Sequence, residues 1–184
     1  MNKRQVSEKD VGKILLTEKQ IQQRVKELGQ EIASHYVGKD LLLISVLKGS
    51  VLFMADLMRA IEAPLSIEFM VVSSYGADTA TSGVVKIVKD IDVSIKDKHV
   101  LIVEDILDSG MTLSYLKELL SQRSPADIQI VTLLDKPARR KVDIRADYIG
   151  FEVPDEFLVG YGLDYVEYYR NLPYIGVLKR EGYE

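Results

Sequence analysis

The chain has 184 residues, 47% of them apolar and 28% charged, with a formal charge of −4 and a pI near 5.3. This is enough for one domain with a sizeable core and too short for two, and the acidic balance argues against a general nucleic-acid binder, whose phosphate contacts need a basic face. The absence of cysteine excludes disulfides, thiolate metal sites and cysteine nucleophiles, and Met1–Asp10 carries no apolar leader stretch. No run reaches the ~20 apolar residues of a membrane span, so a cytoplasmic protein with no membrane partner is expected.

In chain order, Thr17-Glu18-Lys19-Gln20 reads as a capping box opening a helix. Ile21, Val25, Leu28 and Ile32 then recur on one helical face, and Gly38 marks the stop. Leu41 to Leu47 is a continuous apolar run of the length of a buried parallel strand. Val51 to Ile61 reads as a helix punctuated by Pro64, and Ser66 to Val72 as the next strand. Ser73 to Gly83 is small, polar and aperiodic, which predicts a mobile loop or a long hairpin tip before a strand at Val84 to Val88. His99 to Val103 is a further buried strand, followed by a polar turn and a helix from about Thr112 to Gln122. Ile128 to Leu134 and Tyr148 to Phe151 complete the strands. Alternating strands and helices predict an α/β domain whose twisted, mostly parallel sheet is flanked by helices.

The chemistry concentrates between Val100 and Leu113. A buried strand runs into Glu104 and Asp105, Asp108 follows, and Ser109-Gly110-Met111-Thr112 opens a helix. Backbone N–H groups at a helix start attract an anion, Gly110 permits close approach, and Ser109 and Thr112 add hydroxyl donors. Two carboxylates repel a phosphate but accept hydrogen bonds from a ribose diol, and they can hold Mg²⁺ directly or through water. A ligand with a diol at one end and a phosphate at the other is a ribose 5-phosphate. The plainer alternative is a polar loop in which Ser109 or Thr112 caps the helix and the acids are solvated. The string is neither a Walker A loop nor GxGxxG.

The segment Glu104 to Thr112 resembles the phosphoribosyl pyrophosphate signature of type I phosphoribosyltransferases. Leu47-Lys48-Gly49, Ser73-Ser74-Tyr75-Gly76, Leu134-Asp135-Lys136 and Phe151 to Arg170 resemble the members of that family that act on 6-oxopurines. The resemblance implies a single domain over residues 1–184, with a small hood built mainly from about 151–184 and the N-terminal segment. It implies a homodimer or homotetramer that joins hypoxanthine or guanine to the ribose phosphate of phosphoribosyl pyrophosphate, giving IMP or GMP with Mg²⁺ as cofactor. Glu104, Asp105, Asp108, Ser109, Gly110, Met111 and Thr112 are then the ribose-phosphate set, with Asp108 as the catalytic base at purine N7.

By the same resemblance, Lys136 donates to purine O6, Phe157 stacks on the base and Leu158 presents backbone groups to its edge. Asp164 lies by the purine and joins Glu104 and Asp105 as a metal ligand. Lys48, Gly49 and Arg170 hold pyrophosphate, the first two through the backbone of their loop, which often carries a non-proline cis peptide. Ser50 stands where many members carry a second glycine. Ser74 and Tyr75 belong to a loop that closes over the reacting atoms. His35 and His99 match nothing catalytic. A transferase for xanthine or adenine, or an RNA-binding regulator on the same fold, remains an alternative at this level.

Overall fold

The computed structural model describes residues 10–74 and 85–179. Tyr75 and nearly all of the irregular stretch expected at 73–83 lie outside them, as do residues 1–9 and 180–184.

Helix α1 (Glu18–His35) starts as its sequence requires. Thr17 Oγ1 accepts from the Gln20 N–H at 3.3 Å, and the Gln20 side chain accepts from the Thr17 N–H at 2.9 Å. Two orphan donors of the first turn are thus satisfied. The stripe Ile21, Val25, Leu28 and Ile32 is fully buried. It packs on α2 (Val51–Ala60) and on one face of the main sheet.

That sheet has six strands in the order β4-β3-β2-β5-β6-β7. They are β2 (Leu41–Leu47), β3 (Leu65–Ser74), β4 (Val85–Lys89), β5 (His99–Leu107), β6 (Asp127–Asp135) and β7 (Tyr148–Glu152). All neighbouring pairs are parallel except β3 with β4, which is antiparallel. Because the strand period is two, alternate residues serve opposite faces. Leu41, Leu43, Leu101, Val103, Val131 and Leu133 join the core under α1 and α2. Leu42, Ile44, Val100, Ile102 and Ile130 join the core with Leu113, Leu116 and Leu120 of α3 (Met111–Ser121) on the other side. Burial on both faces is why these strands read as unbroken apolar runs.

Two differences from the sequence reading matter for the site. Strand β5 does not stop at Val103 but continues to Leu107, so Glu104 and Asp105 stand on the strand rather than in the turn. Pairing with β6, from His99↔Asp127 to Leu107↔Asp135, carries the strand through the polar residues. The second difference is an antiparallel three-stranded sheet, β1-β9-β8, whose strands the sequence reading did not place, although they come from the terminal segments expected to form a hood. It is made of β1 (Val11–Leu16), β8 (Leu158–Val159) and β9 (Ile175–Leu178).

The strand order places one feature of consequence. From β2 the chain passes through α2 to β3 on one side, and from β5 through α3 to β6 on the other. The winding therefore reverses between the adjacent strands β2 and β5. In open parallel sheets such a reversal leaves a crevice at the carboxyl ends of the strands, where ligands bind.

The capping box makes a local prediction. Thr17→Ala should lower the unfolding free energy by about 1 kcal/mol in a urea titration with an unchanged m-value, and Thr17→Ser should retain most of it.

Candidate active site

The two helices that begin at this crevice have no side-chain caps. Helix α3 starts after Gly110, which adopts φ 82°, and no side chain caps its first turn. The plainer reading of this loop made Ser109 or Thr112 a cap; Ser109 Oγ accepts only a long hydrogen bond, 3.5 Å, from the Met111 N–H, and Thr112 does not cap the helix. Helix α2 starts after Ser50, also without a side-chain cap and with no acid in its first turn. The first-turn N–H groups of a helix have no intrahelical acceptors, so both starts present donors to the crevice. Glu104, Asp108, Ser109, Gly110 and Thr112 line a small cavity of about 90 Å³ at the start of α3. Met111 is the first residue of the helix.

The acidic pair beside this cavity is half-buried, with Glu104 Oε2 shut off from solvent. Glu104 Oε2 has no hydrogen-bond partner among the described residues. Desolvation, and then the neighbouring Asp105, push the Glu104 carboxyl well above its ordinary range. Burial also raises Asp105, to about 6, although hydrogen bonds from the Ile106 N–H and its own N–H and the nearby Arg170 charge oppose the shift. Among the described residues no three acidic or histidine side chains are gathered into a ready-made metal cage.

A larger cleft of about 760 Å³ opens beside them. Asp108, Lys136, Arg139, Phe157 and Leu158 line it, so four of the expected site residues meet in one place. Asp108 is a wall of both cavities. Its Oδ1 lies 3.0 Å from Arg139 Nε without the alignment of a hydrogen bond, leaving an acceptor with no donor. Lys136 is buried, and its ammonium donates to the Glu156 carbonyl at 2.8 Å. Phe157 is partly exposed, with Tyr165 edge-on at 5.6 Å. Leu158 is buried on β8, the outer strand of the small sheet. An outer strand leaves backbone groups on one side without a strand partner.

A third group lies across the crevice, after β2. The loop contains one non-proline cis peptide, between Leu47 and Lys48, one bond before the position expected. A Cβ on Gly49 would fall 1.8 Å from Asp105 Oδ2, and one on Gly162, at φ 97°, would fall 2.0 Å from the Gly49 carbonyl oxygen. These two glycines let the loop lie between the acidic pair and residues 160–170. Ser50 is buried, shares a 2.7 Å hydrogen bond with Ser45 Oγ and donates to the Val46 carbonyl. The hydroxyl thus ties the loop to β2. Arg170 donates to the Gly162 carbonyl at 2.8 Å and pairs with Asp164 at 2.8 Å and Glu167 at 3.2 Å. Lys48 reaches Glu167 at 2.6 Å. Asp164 also accepts from the Glu167 N–H at 2.8 Å, so both its oxygens are engaged.

Ser74 is the last residue of β3, and Tyr75 falls outside the described residues. His35 bonds the Tyr148 hydroxyl and His99 bonds Asp127, both away from these cavities.

The sequence reading missed Arg139 and Arg140. Arg140 donates to the Leu107 and Asp108 carbonyls and pairs with Asp135, fixing the main chain under Asp108. The only sequence signal was the basic run Arg139-Arg140-Lys141, which normally marks a solvated face.

The half-buried acids give a pH prediction. A carboxyl whose folded pKa exceeds its unfolded value holds its proton more tightly when folded. Its unfavourable contribution is absent below about pH 4 and grows as pH rises through the folded pKa, about 6 for Asp105. Glu104→Gln should therefore melt above the parent by at least about 2 °C near neutral pH, and the gap should close towards about pH 4, in ligand-free thermal scans.

Comparison with known proteins agrees with this layout. Residues 12–166 match the family model described as phosphoribosyl transferase domain. The chain is 59% identical over 175 residues to the hypoxanthine-guanine phosphoribosyltransferase of Bacillus subtilis (strain 168), covering 95% of this chain and 97% of that one. It superposes on a hypoxanthine phosphoribosyltransferase from Staphylococcus aureus with a TM-score of 0.94 at 53% identity, over 100% of both chains. A ternary substrates complex of the Trypanosoma cruzi hypoxanthine phosphoribosyltransferase gives 0.91 at 45% identity, covering 96% of this chain and 100% of that one. A crevice at a winding reversal, two uncapped helix starts and a half-buried acidic pair thus occur in a chain that belongs to the phosphoribosyl transferase domain family.

Proposed function

We propose that this chain is an enzyme of purine salvage that transfers the 5-phosphoribosyl group of phosphoribosyl pyrophosphate to N9 of hypoxanthine or guanine, releasing pyrophosphate and forming IMP or GMP. The observation that carries this reading is the place of Asp108 as the shared wall of the acidic, hydroxyl-lined cavity and the Lys136–Phe157 cleft. One ligand lying across that wall has its sugar on one side and its base on the other.

The residues divide the work by chemistry. Ser109, Gly110, Met111 and Thr112 hold the 5′-phosphate on the α3 start, and Glu104 and Asp105 accept the ribose hydroxyls. Lys48, Gly49 and Arg170 hold the pyrophosphate. In the cleft, the Lys136 ammonium has donors only and so suits a 6-oxo group, whereas adenine would oppose it with an amino donor. Phe157 stacks on the base, Leu158 meets its edge and Asp164 lies nearby. Purine N9 bonds to C1′ as the bond from C1′ to the pyrophosphate oxygen breaks, through a cationic sugar centre of the kind met in glycoside chemistry. The proton on N7 passes to, or is held by, Asp108, whose Oδ1 pairs with Arg139 but receives no aligned hydrogen bond, which supports that role.

The donor set suits Mg²⁺. Glu104 and Asp105 are hard oxygen ligands, one of them an unpartnered buried carboxylate, and with Asp164 they would hold the ion alongside substrate oxygens and water. When bound, it offsets the charge developing on the leaving pyrophosphate. Ser74 and Tyr75 are proposed to belong to a loop that excludes water from the sugar centre. The enzyme is further proposed to be a cytoplasmic homodimer or homotetramer. No described helix is long and apolar enough to cross a membrane.

The first test compares hypoxanthine, guanine, xanthine and adenine as substrates in one spectrophotometric assay. Hypoxanthine and guanine should react, and adenine should be disfavoured by about 10⁴-fold in kcat/KM; a preference for adenine would refute the base assignment. Lys136→Ala should raise the KM for the purine and narrow the discrimination. Asp108→Asn should lower kcat by about 10²-fold or more with little change in either KM. Equal changes in kcat and KM would remove Asp108 from the proton transfer.

A further inference from the structure

One exposed carboxylate has no part in the chemistry above. Glu167 bridges the side-chain cations of two residues assigned to pyrophosphate: Oε2 is 2.6 Å from Lys48 Nζ, and Oε1 is 3.2 Å from Arg170 Nη2. The cations come from distant parts of the chain, one after β2 and one after β8, and a single carboxylate spans them. Its side chain is 64% exposed and that of Lys48 66%, so neither ion pair is sealed from water. The hydrogen bond from Lys48, followed by that from Arg170, holds the Glu167 carboxyl below its ordinary range, so it is an anion at neutral pH.

The backbone is shaped to present this group. Val166 and Glu167 both adopt left-handed conformations, at φ 51° and 69°. A β-branched residue is rarely found there, and such strain persists only where the surroundings fix it. Here the Glu167 N–H donates to Asp164 Oδ2, and Tyr165 and Tyr168 exchange backbone hydrogen bonds across the turn at 3.2 and 3.0 Å. The turn is thus anchored at the residue that also holds Arg170.

We propose that Glu167 is an anion placeholder: in the ligand-free enzyme its carboxylate occupies the Lys48–Arg170 clamp, and the pyrophosphate group of the substrate displaces it. The proposal rests on the assignment of that clamp to pyrophosphate. Without Glu167, Arg170 would keep Asp164 and the Gly162 carbonyl, but Lys48 would lose the ion pair that holds it beside Arg170 against the repulsion of the two cations. An internal carboxylate keeps them together between turnovers. Exposed ion pairs are weak, so a polyanion that makes more contacts can displace it. The same return of Glu167 to the clamp competes with bound pyrophosphate and favours its release. Glu167 therefore sets the affinity of the enzyme for the pyrophosphate group without touching the reacting atoms.

The test uses the full chain and two readouts, the KM for phosphoribosyl pyrophosphate and the dissociation constant of magnesium pyrophosphate by calorimetry. Glu167→Gln keeps the shape of the side chain and removes its charge. It should lower both constants by roughly threefold or more, leaving the melting temperature and the KM for hypoxanthine unchanged. A merely structural Glu167 would give the opposite, a rise in both constants together with a lower melting temperature, and that result overturns the proposal. Lys48→Ala separates the two assignments. If it weakens pyrophosphate binding while Glu167→Gln fails to tighten it, the clamp stands and the placeholder falls. If Lys48→Ala leaves pyrophosphate affinity unchanged, the clamp assignment fails and the placeholder with it. In the Lys48→Ala background the effect of Glu167→Gln should shrink, since one of the two cations it competes for is gone.

Discussion

Strand β5 carries two carboxylates into the interior of the protein, and Glu104 Oε2 meets no donor there. Burying an acid in this way disfavours its charged form; backbone N–H groups and Arg170 relieve Asp105 in part, while Glu104 Oε2 is left without a donor. Gly49 supplies the missing side-chain volume that lets Asp105 sit against the loop after β2, and Gly162 lets the next layer of chain lie over that loop. A carboxylate interior that lacks donors in the free protein is suited to a ligand that brings them, whether diol hydroxyls or a hydrated cation. The acids are thus a place where stability has been given up for binding.

The same economy governs the positive charges. A chain with a formal charge of −4 has to hold two phosphate-bearing groups. It does so by local arrangement. The starts of α2 and α3 contribute backbone donors, which carry no net charge and leave the pI acidic. The cationic side chains are few and each is already directed by an acceptor: Lys136 by the Glu156 carbonyl, Arg170 by the Gly162 carbonyl, Arg140 by the Leu107 and Asp108 carbonyls. Positions fixed in advance reduce the side-chain entropy lost when the ligand arrives.

How much of this was legible in the sequence follows from how local each feature is. The α1 capping box and stripe, and the β2 run from Leu41 to Leu47, are set by neighbours in the chain and appear where the pattern places them. The extension of β5 through Glu104 and Asp105 was not legible, because polar residues end an apolar run in the sequence while pairing with β6 continues the strand in space. Strands β1, β8 and β9 are short, and β1 finds its partner at the far end of the chain, so no window of sequence contains the reason for them. Asp108, Lys136 and Phe157 were picked out by their resemblance to a family pattern. Arg139 and Arg140 were not, because their value lies in which carbonyls and carboxylates they meet. Gly49 was named for its backbone, but the close approach of Asp105 that requires it is visible only in three dimensions.

The residues proposed for base recognition and for base chemistry share one frame. The Lys136 N–H donates to the Leu107 carbonyl at 3.0 Å, at the last rung of the β5–β6 ladder, where Leu107 is opposite Asp135. Asp108 and Lys136 are therefore the next residues out on two adjacent parallel strands. Their separation is set by strand spacing and register rather than by flexible loops. A planar base whose oxygen rests on Lys136 has the position of its imidazole edge fixed relative to Asp108 by the same ladder. A slip of one residue between β5 and β6 would turn one of the two side chains to the opposite face of the sheet and separate it from the other. In the proposed function, selectivity for the oxygen and placement of the proton acceptor are consequently one structural property. The buried pairing that holds the fold together also sets the distance across which the purine must fit.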